Sequence, residues 1–341
     1  MAPTPTSRSH RFHQRLSSTP PPQSRLRKRV LVLIAALGMV AYLAGAFVTD
    51  YDALRGAMRN LGWSGAALVL GLSLLNYVLR FVRWHWYLHD LGHALPWARH
   101  LTIYLGGFLF TVSPAKAGEA VRGLYLKEHG VPYADTFAAL FVERLLDFLA
   151  YALLAILIVV RYPDYRPFLG LAFALAAVLL ILAGRPGLPR WIEGLAARRG
   201  PRVATPLRAL AQLLQSSRRM LRASLLVPGL AIGLVSWGAE GIGFHLICEG
   251  LTLDVPPMSA TSIYAIAGLA GAATFFMPGG IGGMEAVMTA LLTALGAPLP
   301  LAIVATLLCR LATLWFAVFL GFFAIAALEM RMFRPIARPS T

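Results

Sequence analysis

Six predominantly apolar runs, at residues 30–48, 61–79, 133–160, 167–184, 224–248 and 298–328, set the terms for this chain. A helix of about twenty residues covers the ~30 Å hydrocarbon core of a bilayer, so each run predicts a span. Only 13% of the residues are charged and the mean hydropathy is +0.67. A soluble domain would be about a quarter charged. The expected fold class is an all-α polytopic membrane protein, with one transmembrane domain over residues 30–328.

The formal net charge of +16 would suggest nucleic acid in a soluble protein. Here the basic residues flank the apolar runs, so they report topology and anionic head groups instead. Residues 1–29 hold Pro, Ser and Arg without an acidic residue and predict a disordered basic cytosolic tail. The run 30–48 lacks a clear small-residue cleavage site and reads as a retained span. With residues 1–29 inside, the inner segments carry 25 of the 31 Lys and Arg and the outer segments carry 4. That asymmetry places both termini in the cytoplasm of a bacterial-type inner membrane. The C-terminal tail is 329–341.

Two apolar pieces fit no span. Residues 101–113 are too short to cross, and 285–295 cannot cross back after 258–277. Fixed orientation makes 101–131 and 258–297 re-entrant hairpins, broken at TVSPAKAGE (111–119) and MPGGIGGME (277–285). Irregular backbone at membrane depth must be buried in protein or line a wet cavity. Two spans, a hairpin and a span then occur twice, in a first half (30–160) and a second half (167–328) of opposite direction. Such inverted repeats are a transporter architecture. Residues 185–223 hold nine arginines and one acidic residue, with apolar residues at helical spacing. They predict short amphipathic helices on an anionic leaflet, or else a solvated basic linker.

Two motifs carry more. SPAKAGEAVRGLYLKEHGVPYADTFAALFVERLLD (113–147) places a proline, then Gly118-Glu119, Arg122, and a later Glu143-Arg144 before Asp147. PGGIGGMEAVMTALLTALG (278–296) places Pro278, Gly279, Gly280, Gly282 and then Glu285. In this order and spacing the pair resembles the lysylphosphatidylglycerol synthase transmembrane-domain-like, or flippase-like, integral membrane proteins, over about residues 30 to 330. The resemblance implies an eight-helix-type unit that moves or handles anionic or aminoacylated lipids, near envelope-lipid biosynthesis enzymes. In two-domain members this unit precedes a cytosolic aminoacyl-transferase. Here thirteen residues follow the last span, so no lysyl-lipid synthesis is expected.

Intramembrane charge costs roughly 2.5–3.5 kcal/mol per group on insertion scales, so these residues should pair and face inward. Arg122, Arg144 and Arg310 are candidates to hold a lipid phosphate, because the guanidinium fork bonds phosphate bidentately. Glu119, Glu143, Asp147 and Glu285 would balance them or carry protons. Glu240 lies within the fifth span. A bare salt-bridge network that locks helices is the bland alternative, and Glu285 could simply cap its helix. Ser113, Lys116 and the glycines of both breaks complete the candidate transport path. PGGIGG offers backbone N–H groups at a helix start, although glycine also permits close helix packing.

Arg80 and Arg83 are expected to contact head groups at the inner interface, at the inner mouth of the cavity. His85, His89 and His93 recur every four residues along one helix face, a spacing open to a metal but common among interfacial aromatics. Cys248 and Cys309 give no metal spacing and no disulfide framework. No Ser-His-Asp set and no HExxH motif marks an enzyme. The leading expectation is a non-enzymatic protein, without cofactor or metal, that translocates or binds an anionic lipid or lipid-linked intermediate. A membrane enzyme acting on a polyprenyl or phospholipid phosphate, with Ser113 as nucleophile, and a non-transporting scaffold are the alternatives.

Overall fold

A computed structural model describes residues 37–42, 44–45, 47–111, 121–159, 166–273 and 282–332. They form helices and connecting turns, with no strand among the described residues. The chain order is α1 (Leu37–Thr49), α2 (Tyr51–Asp90), α3 (Trp97–Gly106), a 3-10 turn (Gly107–Phe110), α4 (Val121–Lys127), α5 (Tyr133–Val159) and α6 (Arg166–Gly184). It continues with α7 (Gly187–Ala197), α8 (Pro201–Met220), α9 (Ala223–Gly250), α10 (Pro257–Ala273), α11 (Gly283–Ala294) and α12 (Leu299–Arg310). A π turn (Leu311–Trp315) joins α12 to α13 (Phe316–Met332).

Four helices are long and apolar enough to cross a membrane: α2, α6, α9 and the continuous 299–330 run of α12 and α13. α5, at 27 residues, would reach ~40 Å, and it carries Glu143, Arg144 and Asp147 in its middle. α3, α4 and α11 have 10, 7 and 12 residues, each shorter than a span. The two hairpin tips fall largely within 112–120 and 274–281, outside the described residues. Ser113, Lys116, Gly118, Glu119, Pro278, Gly279 and Gly280 lie there, as do the tails 1–29 and 333–341.

α2 departs from the span expected at 61–79. The helix breaks at Gly62, whose φ of +62° is a left-handed conformation that glycine adopts without a Cβ clash. From there it runs unbroken to Asp90, carrying Arg80 and Arg83 into the bundle. The buried polar residues Ser73, Asn76, Arg80 and Arg83 recur at spacings of three and four, one stripe facing inward.

Packing between halves is reciprocal. α2 lies along α9. α3 packs on α13, and α10 packs on α5. Lipid tails are as apolar as leucine, so helices in a bilayer are held by close contact of small residues. A Cβ on Gly321 of α13 would lie 2.4 Å from the Leu109 backbone nitrogen, and one on Gly241 of α9 2.7 Å from the Thr261 Cα of α10.

Residues 185–223 form a helical pair. α7 packs on α8, and α8 packs on α5, where the Ser216 hydroxyl donates to Asp135 at 2.6 Å. All nine arginines of this segment are exposed, with Trp191, Val203 and Leu210 among them.

Candidate functional site

The charged residues converge in the middle of the bundle. On α5, Glu143 and Asp147 point to one side, four residues apart. Arg80 of α2 reaches both, at 2.9 Å to Glu143 and 3.3 Å to Asp147. Arg83 lies 2.5 Å from Asp147 and donates to the Gly229 carbonyl at 3.3 Å. The expected head-group role therefore does not describe these two: Arg80 and Arg83 are buried and ion-paired inside the protein, because α2 continues past the apolar run.

Arg122 of α4 is only 1% exposed. Its Nε donates to the Tyr104 carbonyl at 3.2 Å and its Nη1 lies 3.6 Å from Glu143. The guanidinium sits 4.1 Å from the Tyr104 ring centroid and 5.4 Å from those of Trp84 and Phe108. This aromatic cage holds a cation by cation–π attraction. It keeps Arg122 behind the cavity wall, so Arg122 is not among the residues lining the cavity.

Arg144 differs. It lies 3.5 Å from Glu143 and 3.7 Å from Asp147, yet a third of its side chain is accessible. Together with Arg80, Asp147, Glu240 and Arg310 it lines a cavity of about 620 Å³. The remaining walls are mainly aromatic and aliphatic: Phe137, Phe141, Phe148, Trp237, Leu140 and Leu314 among them.

Across the cavity, Arg310 ends α12 and binds Glu285 of α11, Nε to Oε1, at 2.7 Å. The Tyr42 hydroxyl donates to the same oxygen at 2.5 Å. Oε2 of Glu285 accepts the Gly282 N–H at 2.8 Å. Gly282 has φ +95°, so glycine there lets the chain turn sharply into α11 while the carboxylate caps it. Glu285 thus caps its helix with one oxygen and pairs Arg310 with the other. It also lines a second, shallower groove of about 600 Å³ between α11 and α12. The Arg310–Glu285 pair stands between the two spaces.

The π turn follows Arg310 directly. A π turn departs from the i→i+4 ladder and is frequent at functional sites. The Tyr77 hydroxyl donates to the Thr313 carbonyl there, tying the turn to α2.

The three histidines of α2 do not act as a group. His85 Nδ1 meets His100 Nδ1 at 2.7 Å, His93 binds Asp135 at 2.7 Å, and His89 is exposed. Trp84 Nε1–H donates to His100 Nε2 at 2.9 Å, so the His100 proton belongs on Nδ1. His100, in the first turn of α3, has its pKa pushed down to about 3 by burial and then by His85 and Arg122. Among the described residues no group of three His, Cys, Asp or Glu side chains could hold a metal.

The pairing of Arg80 with Glu143 and Asp147 and the Glu240–Tyr264 pair escaped the sequence reading. A signal for the first existed in the Ser73–Asn76–Arg80–Arg83 spacing. Nothing local marks Tyr264 as the partner of Glu240.

These features define a polytopic helical membrane protein with a charged interior cavity. The chain belongs to the family described as the lysylphosphatidylglycerol synthase TM region, whose model matches residues 26–321. It is similar to a UPF0104 membrane protein of Methanothermobacter thermautotrophicus, 23% identical over 319 residues, 86% of this chain and 94% of that one. It is also similar to glycosyltransferase AglD of Haloferax volcanii, 33% identical over 141 residues, which are 38% of this chain and 22% of AglD.

Proposed function

We propose that the protein binds an anionic lipid or lipid-linked head group in the 620 Å³ cavity and passes it between leaflets. The observation that carries this is Arg144, a guanidinium within a mostly apolar cavity that is a third accessible while already beside two carboxylates. Arg80, Arg83 and Arg122 are buried against Glu143 and Asp147 and serve to fix them, Arg80 from the cavity wall and the other two from behind it. Arg144 and Arg310 would share the phosphate, and the aromatic walls would pass the first carbons of the acyl chains. The volume lies within the ~300–1,000 Å³ range of small-molecule sites. The reading assigns the chain no chemical step.

Six spans and two opposed hairpins, with both termini inside, remain the topology we infer. Reciprocal packing supports an inverted repeat, since each hairpin lies on the last span of the other half. The ion pairs repeat it: Arg122 of the first returning helix meets Glu143 of α5, and Glu285 of the second meets Arg310 of α12. Rocking one half against the other would open the cavity and the groove in turn, with Arg310–Glu285 parting between them. The arginine-rich α7–α8 pair, with Trp191 outward, would rest on the anionic inner leaflet.

The test is reconstitution into liposomes holding fluorescent phosphatidylglycerol, with an impermeant quencher added outside. Wild type should expose inner-leaflet lipid to the quencher. Arg144→Ala should slow this about tenfold or more, as expected for losing a charge-assisted contact. Its elution and circular dichroism should match wild type. A wild type no faster than empty liposomes sinks the proposal.

A further inference from the structure

Glu240, in α9, is a buried acid that the lipid-binding reading leaves without a task. It is 3% exposed and lines the same cavity as Arg144 and Arg310. The other interior carboxylates sit against guanidiniums: Glu143 and Asp147 against Arg80, Glu285 against Arg310. Glu240 makes no ion pair among the described residues, and its partner is the Tyr264 hydroxyl of α10, which donates to Oε2. The titratable and charged groups that face it are Tyr77 and Arg80 of α2, Asp147 and Tyr151 of α5, Tyr264 of α10, and Cys309 and Arg310 of α12. The two cations of this set lie closest to other acids, Arg80 to Glu143 and Arg310 to Glu285.

A carboxylate in a low-dielectric interior that makes no ion pair, its facing cations being held by other acids, is costly, and it is relieved by taking up a proton. A phosphate arriving in the same cavity adds a like charge and increases that cost. We propose that Glu240 is a proton-binding site, and that an anionic head group enters the cavity together with one proton taken up by the Glu240 carboxylate. The proton comes from water, resides on Oε1 while Oε2 accepts from Tyr264, and returns to water when the head group leaves. No bond to the lipid forms or breaks. The inference rests on the lipid-binding reading above and adds its coupling ion. By linkage the effect is reciprocal: protonation favours lipid binding as much as lipid binding favours protonation.

The experiment is calorimetric binding of dioctanoyl phosphatidylglycerol to the full-length protein in detergent. It spans about pH 5 to about pH 9, in paired buffers of different ionisation enthalpy. Wild type should take up about one proton per lipid above its midpoint, with affinity there falling about tenfold per pH unit. Glu240→Gln should take up none and show an affinity that does not change with pH. Tyr264→Phe loses the donor that favours the charged carboxylate, so its midpoint should move to higher pH. That variant decides the matter if Glu240→Gln does not fold. Lipid binding without proton uptake in wild type, equal uptake in Glu240→Gln, or an unmoved midpoint in Tyr264→Phe would overturn the inference and leave lipid binding standing. No lipid binding by wild type would overturn the lipid-binding reading itself, and this inference with it.

Discussion

Guanidinium groups differ here by their neighbours rather than by their position in the chain. Arg83 and Arg122 are sealed, one against Asp147 and a backbone carbonyl, the other within aromatic rings. Gly107 is small because the Arg122 side chain crosses it; a Cβ there would lie 2.3 Å from Nε. Arg310 is tied to a carboxylate that also caps a helix, so its loss should be felt twice. Removing one partner of a buried pair strands the other, at about 3–5 kcal/mol. Arg310→Gln and Glu285→Gln should each lower unfolding stability in detergent by that order. The double variant should cost less than the sum by roughly 0.5–3 kcal/mol. Additive losses would show that the 2.7 Å contact carries no coupling.

Helix contacts depend on small residues placed where backbones meet. α10 is rich in Ala, Ser and Gly and buried over most of its length, wedged between α5, α9 and α11. Tyr151 of α5 fills the space above Gly268, 2.7 Å from where a Cβ would stand. A ring can shift, but a backbone cannot. Gly321 of α13 meets the Leu109 nitrogen, the Leu105 carbonyl and the Phe108 carbonyl carbon, all main chain. Gly321→Ala should therefore destabilise the protein by at least the ~1–3 kcal/mol typical of overpacking. Gly238→Ala, with open space above it on α9, should not. Equal melting temperatures for the two variants would contradict the close approach of α13 to the 3-10 turn.

Neither half of the chain encloses the cavity alone. Its charged lining comes from α2, α5, α9 and α12, two helices from each half. If the halves run in opposite directions, loops at equivalent places must face opposite solvents. A variant with Cys248 and Cys309 replaced allows single cysteines at Asp90, at the end of α2, and Asp254, after α9; both sites are exposed. Membrane-impermeant maleimide should label position 254 only from outside and position 90 only from inside. Labelling of both from one side would remove the inverted repeat.

By itself the sequence determined the solvent, the helical class and which residues carry charge, because each is set by local composition and hydropathy. Glu143, Arg144, Asp147, Glu285 and Arg310 were legible for that reason: a charge inside an apolar run needs a partner whatever the fold. Only the tertiary structure decided which charges meet and which face the cavity. Arg122 is caged and Arg80 lines the wall because of rotations and depths fixed by neighbouring helices. Glu240 finds Tyr264 through the packing of α9 on α10, and Glu285 finds Tyr42, 243 residues away in the chain, through packing between halves. Side-chain pairing across a bundle follows from helix rotation and crossing, and no window along one helix encodes those.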